Sequence, residues 1–218
     1  MSSPAATARR DSHSVGFNLM VIALAVALGG LALAYAIDAA GRNAGNGAQE
    51  TLTRTLGSKQ LEIPAALFRE DAQRSDGFSK QVELTVTLPL GPEATSRQID
   101  ITLVPRSRAR PSASLLDGVY LHQFMPEQLA GPPGLIGTPL IAEEGFQHET
   151  VWYDALSSSP FVAKCIAPLV EGQPGRCIRT VYLGPGIAAV YSFDEDVLAN
   201  WKRFDALLHP VLRDIGAL

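Results

Sequence analysis

Between Asp11 and Asp38 the chain carries 26 consecutive residues without Asp, Glu, Lys or Arg. Its core, residues 17–37, is 21 residues dominated by Leu, Ala, Val and Ile. At about 1.5 Å per residue, a helix of that length spans the roughly 30 Å hydrocarbon core of a bilayer. A helix also pairs its own backbone donors and acceptors, which lipid cannot do. Asn18 is the one strongly polar side chain and stands at the entry end. The expected element is a transmembrane helix over residues 15–37, with the lipid bilayer as its partner.

Arg9 and Arg10 precede this segment, whereas Asp38 follows it directly and Arg42 and Arg54 come later. The positive-inside rule then favours a cytoplasmic tail over residues 1–14 and an exported C-terminal part. The expected location is a bacterial inner membrane with the C-terminal domain in the periplasm. The alternative is a signal peptide cut near Ala34-Tyr35-Ala36 or Asp38-Ala39-Ala40, releasing a secreted soluble domain. Signal h-regions run about 7–15 residues, shorter than this one, so the uncleaved anchor is preferred. A twin-arginine reading fails because Asp11 follows Arg10 and the apolar residues expected just behind are missing. Gly30 and Ala34, like Ala25 and Gly29, form small-xxx-small pairs that let helices approach closely. Nothing else in the sequence supports a homo-oligomer.

The anchor accounts for a composition that is 46% hydrophobic and only 18% charged. The net charge of −4 becomes −5 for residues 38–218 once Arg9, Arg10 and Asp11 are set apart. An acidic domain does not attract nucleic acid or anionic lipid through its average field. Two Cys cannot build a disulfide-dense scaffold or a four-Cys zinc site.

Residues 38–58, rich in Gly, Ala, Asn and Thr, are expected as a flexible linker, or as a short helical continuation at 48–56. Residues 59–218 then form one β-rich domain, large enough for a real core. Val82, Leu84, Val86 and Leu88 alternate along one candidate strand, and Ile99, Ile101 and Leu103 along the next. Gly91-Pro92 separates them, which predicts an antiparallel pair buried on one face. Further strands are expected at 60–63, 118–124, 138–142, 148–154, 161–167, 176–183 and 187–193, the last three as a meander. The C-terminus reads as an amphipathic helix over 194–216. Ser192 and Glu195 suggest a capping box, Gly216 a C-terminal cap, and Pro210 a kink or break near His209. The fold class is α+β: a transmembrane helix, a mostly antiparallel sheet-rich domain, and a C-terminal helix.

Cys165 and Cys177 lie equally far from Glu171, the centre of a predicted hairpin. They therefore face each other across the ladder, and an oxidising compartment permits a disulfide. Unpaired buried thiols and a redox pair are the alternatives, the latter without a Cys-x-x-Cys spacing to support it. Arg106, Arg108 and Arg110 form a basic cluster between Pro105 and Pro111. If extended, they share a face, and they read as a solvated loop or as a contact for headgroups or an acidic partner. The four His are scattered, and no His-Glu-x-x-His or acidic calcium loop is present, so no metal or cofactor is expected. Asp194, Glu195 and Asp196 suit a helix start. Ser157-Ser158-Ser159 lacks the nucleophile elbow, so no catalytic residue is assigned.

Several blocks carry a resemblance: Leu61-Glu62-Ile63-Pro64-Ala65, Val82-Glu83-Leu84-Thr85-Val86-Thr87-Leu88-Pro89, Phe161-Val162-Ala163-Lys164-Cys165, and Cys177-Ile178-Arg179 through Tyr191-Ser192-Phe193 to Trp201. In this order the chain resembles an uncharacterised group of proteobacterial single-pass inner-membrane proteins with periplasmic domains. The resemblance covers most of residues 59–205. It implies location and architecture and brings no catalytic residues. The expected function is an anchored binding or scaffolding domain for an envelope partner. The alternatives are a membrane-tethered, hydrolase-like enzyme and a secreted domain.

Overall fold

A computed structural model describes residues 15–168, 170, 172–184 and 186–218, with side chains omitted at 15–18, 37–49 and 144. Expectations for the tail, for Asn18, and for Glu171 and Pro185 in their turns lie outside the described residues. The chain divides into two units, one ending at Ala48 and the other Gln49–Leu218.

The first unit contains helix α1, Val15–Gln49. Its window Leu19–Ala36 has a mean hydropathy of 2.4, and none of it is buried within the chain. This helix is long and apolar enough to cross a membrane. Residues 38–58 differ from the expected flexible linker. The helix runs on to Gln49, because Ala39, Ala40, Ala44 and Ala48 favour helix and no Pro interrupts it. Residues Thr51–Leu56 then form strand β1 of the domain.

The second unit is built around two sheets. In the smaller, β1 pairs antiparallel with β2 (Lys59–Pro64) and parallel with β3 (Gly77–Ser79). The larger has seven antiparallel strands: β4 (Val82–Leu88), β5 (Arg97–Pro105), β6 (Ile136–Pro139), β7 (Glu149–Tyr153), β8 (Val162–Ile166), β9 (Arg176–Tyr182) and β10 (Ile187–Asp194). Their spatial order is β4-β5-β10-β9-β8-β7-β6. The last strand in sequence therefore enters the middle of the sheet. It joins the β4–β5 hairpin to the meander in one sheet.

Register puts Leu84, Ile101, Tyr191 and Arg179 in one row across β4, β5, β10 and β9. All four are buried. Helix α3 (Trp201–Asp214) supplies apolar partners for the same core. Phe204, Leu208 and Leu212 are fully buried. Phe204 lies 4.9 Å from the Phe193 ring, 5.4 Å from Tyr191 and 5.9 Å from Phe161. Burying each such side chain contributes roughly 1.5–3 kcal/mol.

The C-terminal helix differs from its sequence reading at its start and at its proline, and agrees with it at Gly216. It opens with a 3₁₀ segment, Glu195–Asn200, whose start has no side-chain cap. The capping box does not form: Ser192 lies within β10 and accepts a hydrogen bond from Arg176, while Glu195 is drawn to Trp152. Helix α3 passes through Pro210 without a break, because Leu208 and Leu212 stay buried on either side of it. Gly216, with φ of +77°, closes the helix. Its N–H donates to Arg213 O at 2.9 Å, and Ala217 N–H donates to Leu212 O at 2.8 Å, a Schellman arrangement.

The opposite face of the large sheet is covered over β7 and β8 by α2 (Ser112–Gly118) and the turn after it. Leu116, Tyr120, Leu140, Val151 and Val162 form this second core. The strand expected at 118–124 is instead a 3₁₀ turn, Tyr120–His122, whose apolar run suits either conformation. Both sheet edges are partly capped. Arg69 N–H donates to Glu83 O on β4, and Met125 and Leu129 N–H donate to Pro139 O and Gly137 O on β6. Phe204→Ala should lower stability by about 3–5 kcal/mol, measured as a fall in the urea midpoint of the second unit's unfolding.

Candidate functional site

A groove of about 520 Å³ lies beside the 3₁₀ segment. Pro92, Pro132, Pro168 and Pro174 line it, with Glu195 and Asp196 among them. Gly131 and Gly137 press against the Trp152 ring so closely that a Cβ at either position would strike it. The indole is thereby clamped, and its Nε1–H donates to Glu195 Oε1 at 3.3 Å. Glu195 N–H donates to Gly175 O at 2.8 Å, tying the β8–β9 connection to the segment. Asp196 Oδ2 accepts from Arg97 at 2.8 Å and 2.6 Å. These carboxylates, read from sequence as a helix start, instead hold the groove walls together.

On the solvent side of β4, β5, β10 and β9 a second set of charges centres on Asp100. Its carboxylate accepts from Thr85 and Gln98 at 3.0 Å each and pairs with Arg176 at 3.3 Å and Arg69 at 3.7 Å. Burial alone would raise the Asp100 pKa. The hydrogen bonds from Gln98 and Thr85 and the charges of Arg69 and Arg176 outweigh it and hold the group below its ordinary value. Arg179 is the one buried cation on the core side of β9. It grips Asp205 of α3 at 2.5 Å and 2.9 Å and lies 4.6 Å over the Phe161 ring.

Cys165 and Cys177 are directly opposed in the β8–β9 register and form a disulfide. Both are buried on the core face beside Phe193. The three arginines do not share one extended face. Arg106–Arg108 is a 3₁₀ turn that separates Arg106 from Arg108 and carries the chain toward α2. Arg106 stacks on Tyr182 at 3.9 Å, and Arg108 donates to Lys80 O at 3.2 Å. Arg54, placed in the linker by sequence, is a buried guanidinium bonded to Ser75 and Ser79. Neither His122 nor His148 borders the groove or the smaller pocket of about 310 Å³ that holds Ser159 and Arg179. Among the described residues no group of three or more His, Cys, Asp or Glu is arranged to hold a metal ion.

Known protein families, curated protein sequences and solved structures contain no match to this chain.

Two outcomes follow from these charges and this bridge. Replacing both Cys165 and Cys177 with Ser should cost about 3 kcal/mol, the chain-entropy value for a loop near this size, read as a lower urea midpoint. Asp100→Asn should destabilise the domain at neutral pH. A carboxyl whose folded pKa is depressed stabilises above its unfolded pKa and loses that contribution as pH falls through the folded value. The difference between D100N and the natural chain should therefore shrink in acid, as followed by unfolding midpoints across pH.

Proposed function

We propose that this chain is a single-pass inner-membrane protein whose periplasmic α+β domain binds or scaffolds other envelope components. It belongs, on this reading, with the proteobacterial group it resembles. The carrying observation is the Cys165–Cys177 disulfide in a domain that follows an apolar helix. Disulfides persist in oxidising compartments such as the periplasm and are rare in the cytosol. Arg9 and Arg10 ahead of the helix agree with a cytoplasmic N-terminus. A binding role is supported by the groove, whose Glu195 and Asp196 already have protein partners and which presents shape and apolar surface. The tethered-hydrolase alternative needs His122 or His148 beside a Ser or carboxylate. Among the described residues neither histidine hydrogen-bonds such a side chain.

Fractionation of a proteobacterial host, with a periplasm-dependent reporter fused after Leu218, tests this reading. The expected result is an active fusion in the membrane fraction, released by detergent and not by salt, at the mass of the uncut chain. A shortened soluble product would support the secreted alternative, and an inactive, cytosolic fusion would overturn the topology.

A further inference from the structure

The surface cations of this domain divide into those with a carboxylate partner and those without. Arg69, Arg74, Arg97, Lys164 and Arg176 all form ion pairs. Lys202, Arg203 and Arg213 of α3 form none among the described residues, and neither do Lys59, Lys80, Arg106, Arg108 and Arg110; the last five are the ones the fold gathers at one end of the domain. Lys59 follows the β1–β2 turn, and its Nζ stands 3.6 Å from where a Cβ on Gly184 would lie. Arg106 N–H donates to Gly186 O at 2.9 Å in the same β9–β10 connection. Arg108 reaches the Lys80 carbonyl, and Tyr182 Oη–H donates to Ala109 O at 3.1 Å. The four segments that meet here, residues 57–61, 77–82, 103–116 and 180–189, contain no Asp or Glu. The backbone of Leu218 also lies near Gly184.

We propose that this basic end is a docking site for an acidic segment of a partner protein. The inference rests on the domain's being a binding module and names the chemistry of what it binds. Arg106 is held over the Tyr182 ring and Arg108 by the Lys80 carbonyl, so part of the ordering cost is met before binding. Guanidinium groups fit carboxylates with paired hydrogen bonds. A protein segment is favoured over a bilayer on electrostatic grounds. An extended anionic surface meets the domain's net −5 as well as the cluster, whereas a narrow segment meets the cluster alone, within a Debye length of about 8 Å.

The test uses the full chain in zwitterionic detergent and a fluorescent peptide of alternating Glu and Ser, with binding read by anisotropy. Binding should weaken as salt rises and fall on the order of tenfold in R106E/R108E. K202E/R203E makes the same charge change on exposed positions of α3 and should alter binding less than about twofold. R108E/R110E leaves the Tyr182 stack intact and should match the first variant, and unchanged urea midpoints confirm folding. Equal losses in the patch and control variants, or no peptide binding by the natural chain, would overturn the proposal. So would patch-dependent capture of phosphatidylglycerol vesicles without peptide binding, which would make the site a headgroup contact. The assay does not depend on topology, so its failure leaves the anchored periplasmic reading standing.

Discussion

Phe204 is the side chain on which the domain closes. It is fully buried against Phe193, Tyr191 and Phe161, which come from β10 and the approach to β8. The neighbouring Asp205 pairs with Arg179 of β9, and the Arg179 guanidinium lies 5.5 Å over the Phe204 ring. One helical turn therefore fixes α3 to the centre of the sheet by apolar contact, cation–π contact and an ion pair together. The ion pair is not a gain to add to the rest. A buried guanidinium is costly without its carboxylate, so Asp205 chiefly prevents a loss. The position also explains the topology. β10 must lie between β5 and β9 for the hydrophobic row through Tyr191 to be continuous, and α3 follows β10 almost directly.

The strands with clean alternation were legible in the sequence because each buries one face. Val82, Leu84 and Val86, then Ile99, Ile101 and Leu103, stand on the buried side as the period of two requires. The same logic explains the failure at β1. Its inward positions are Leu52, Arg54 and Leu56, and a charged residue in the middle hides the pattern. The partners of the two Arg54 Nη atoms, Ser75 and Ser79, lie more than 20 residues away and have no local signature. Glu195 is a parallel case. Its spacing from Ser192 fits a cap, but Trp152, 43 residues earlier, takes the carboxylate instead. Local motifs fail where a distant donor competes for the same side chain.

The candidate sites were legible to different degrees. The disulfide followed from hairpin symmetry, since equal spacing about a turn places two residues opposite each other. The basic cluster showed only its three arginines. Lys59 and Lys80 join it through strand pairing that no local pattern reveals, because β3 pairs parallel to β1. The groove was invisible in sequence, for its walls come from segments around Pro92, Gly131, Trp152, Pro174 and Glu195. Asp194, Glu195 and Asp196 drew attention as a run of charge. In the fold they separate: Asp194 pairs with Arg176, Glu195 with Trp152 and Asp196 with Arg97.

An anchored, exported domain is the central claim, and the redox state of Cys165 and Cys177 inside living cells tests it most directly. Cells are quenched in acid, the chain is unfolded, and free thiols are alkylated with a maleimide large enough to retard migration on a gel. The account predicts no retardation before reduction and addition of two maleimides after it. Two maleimides added without prior reduction would show both thiols free, and would contradict an oxidising compartment for this domain.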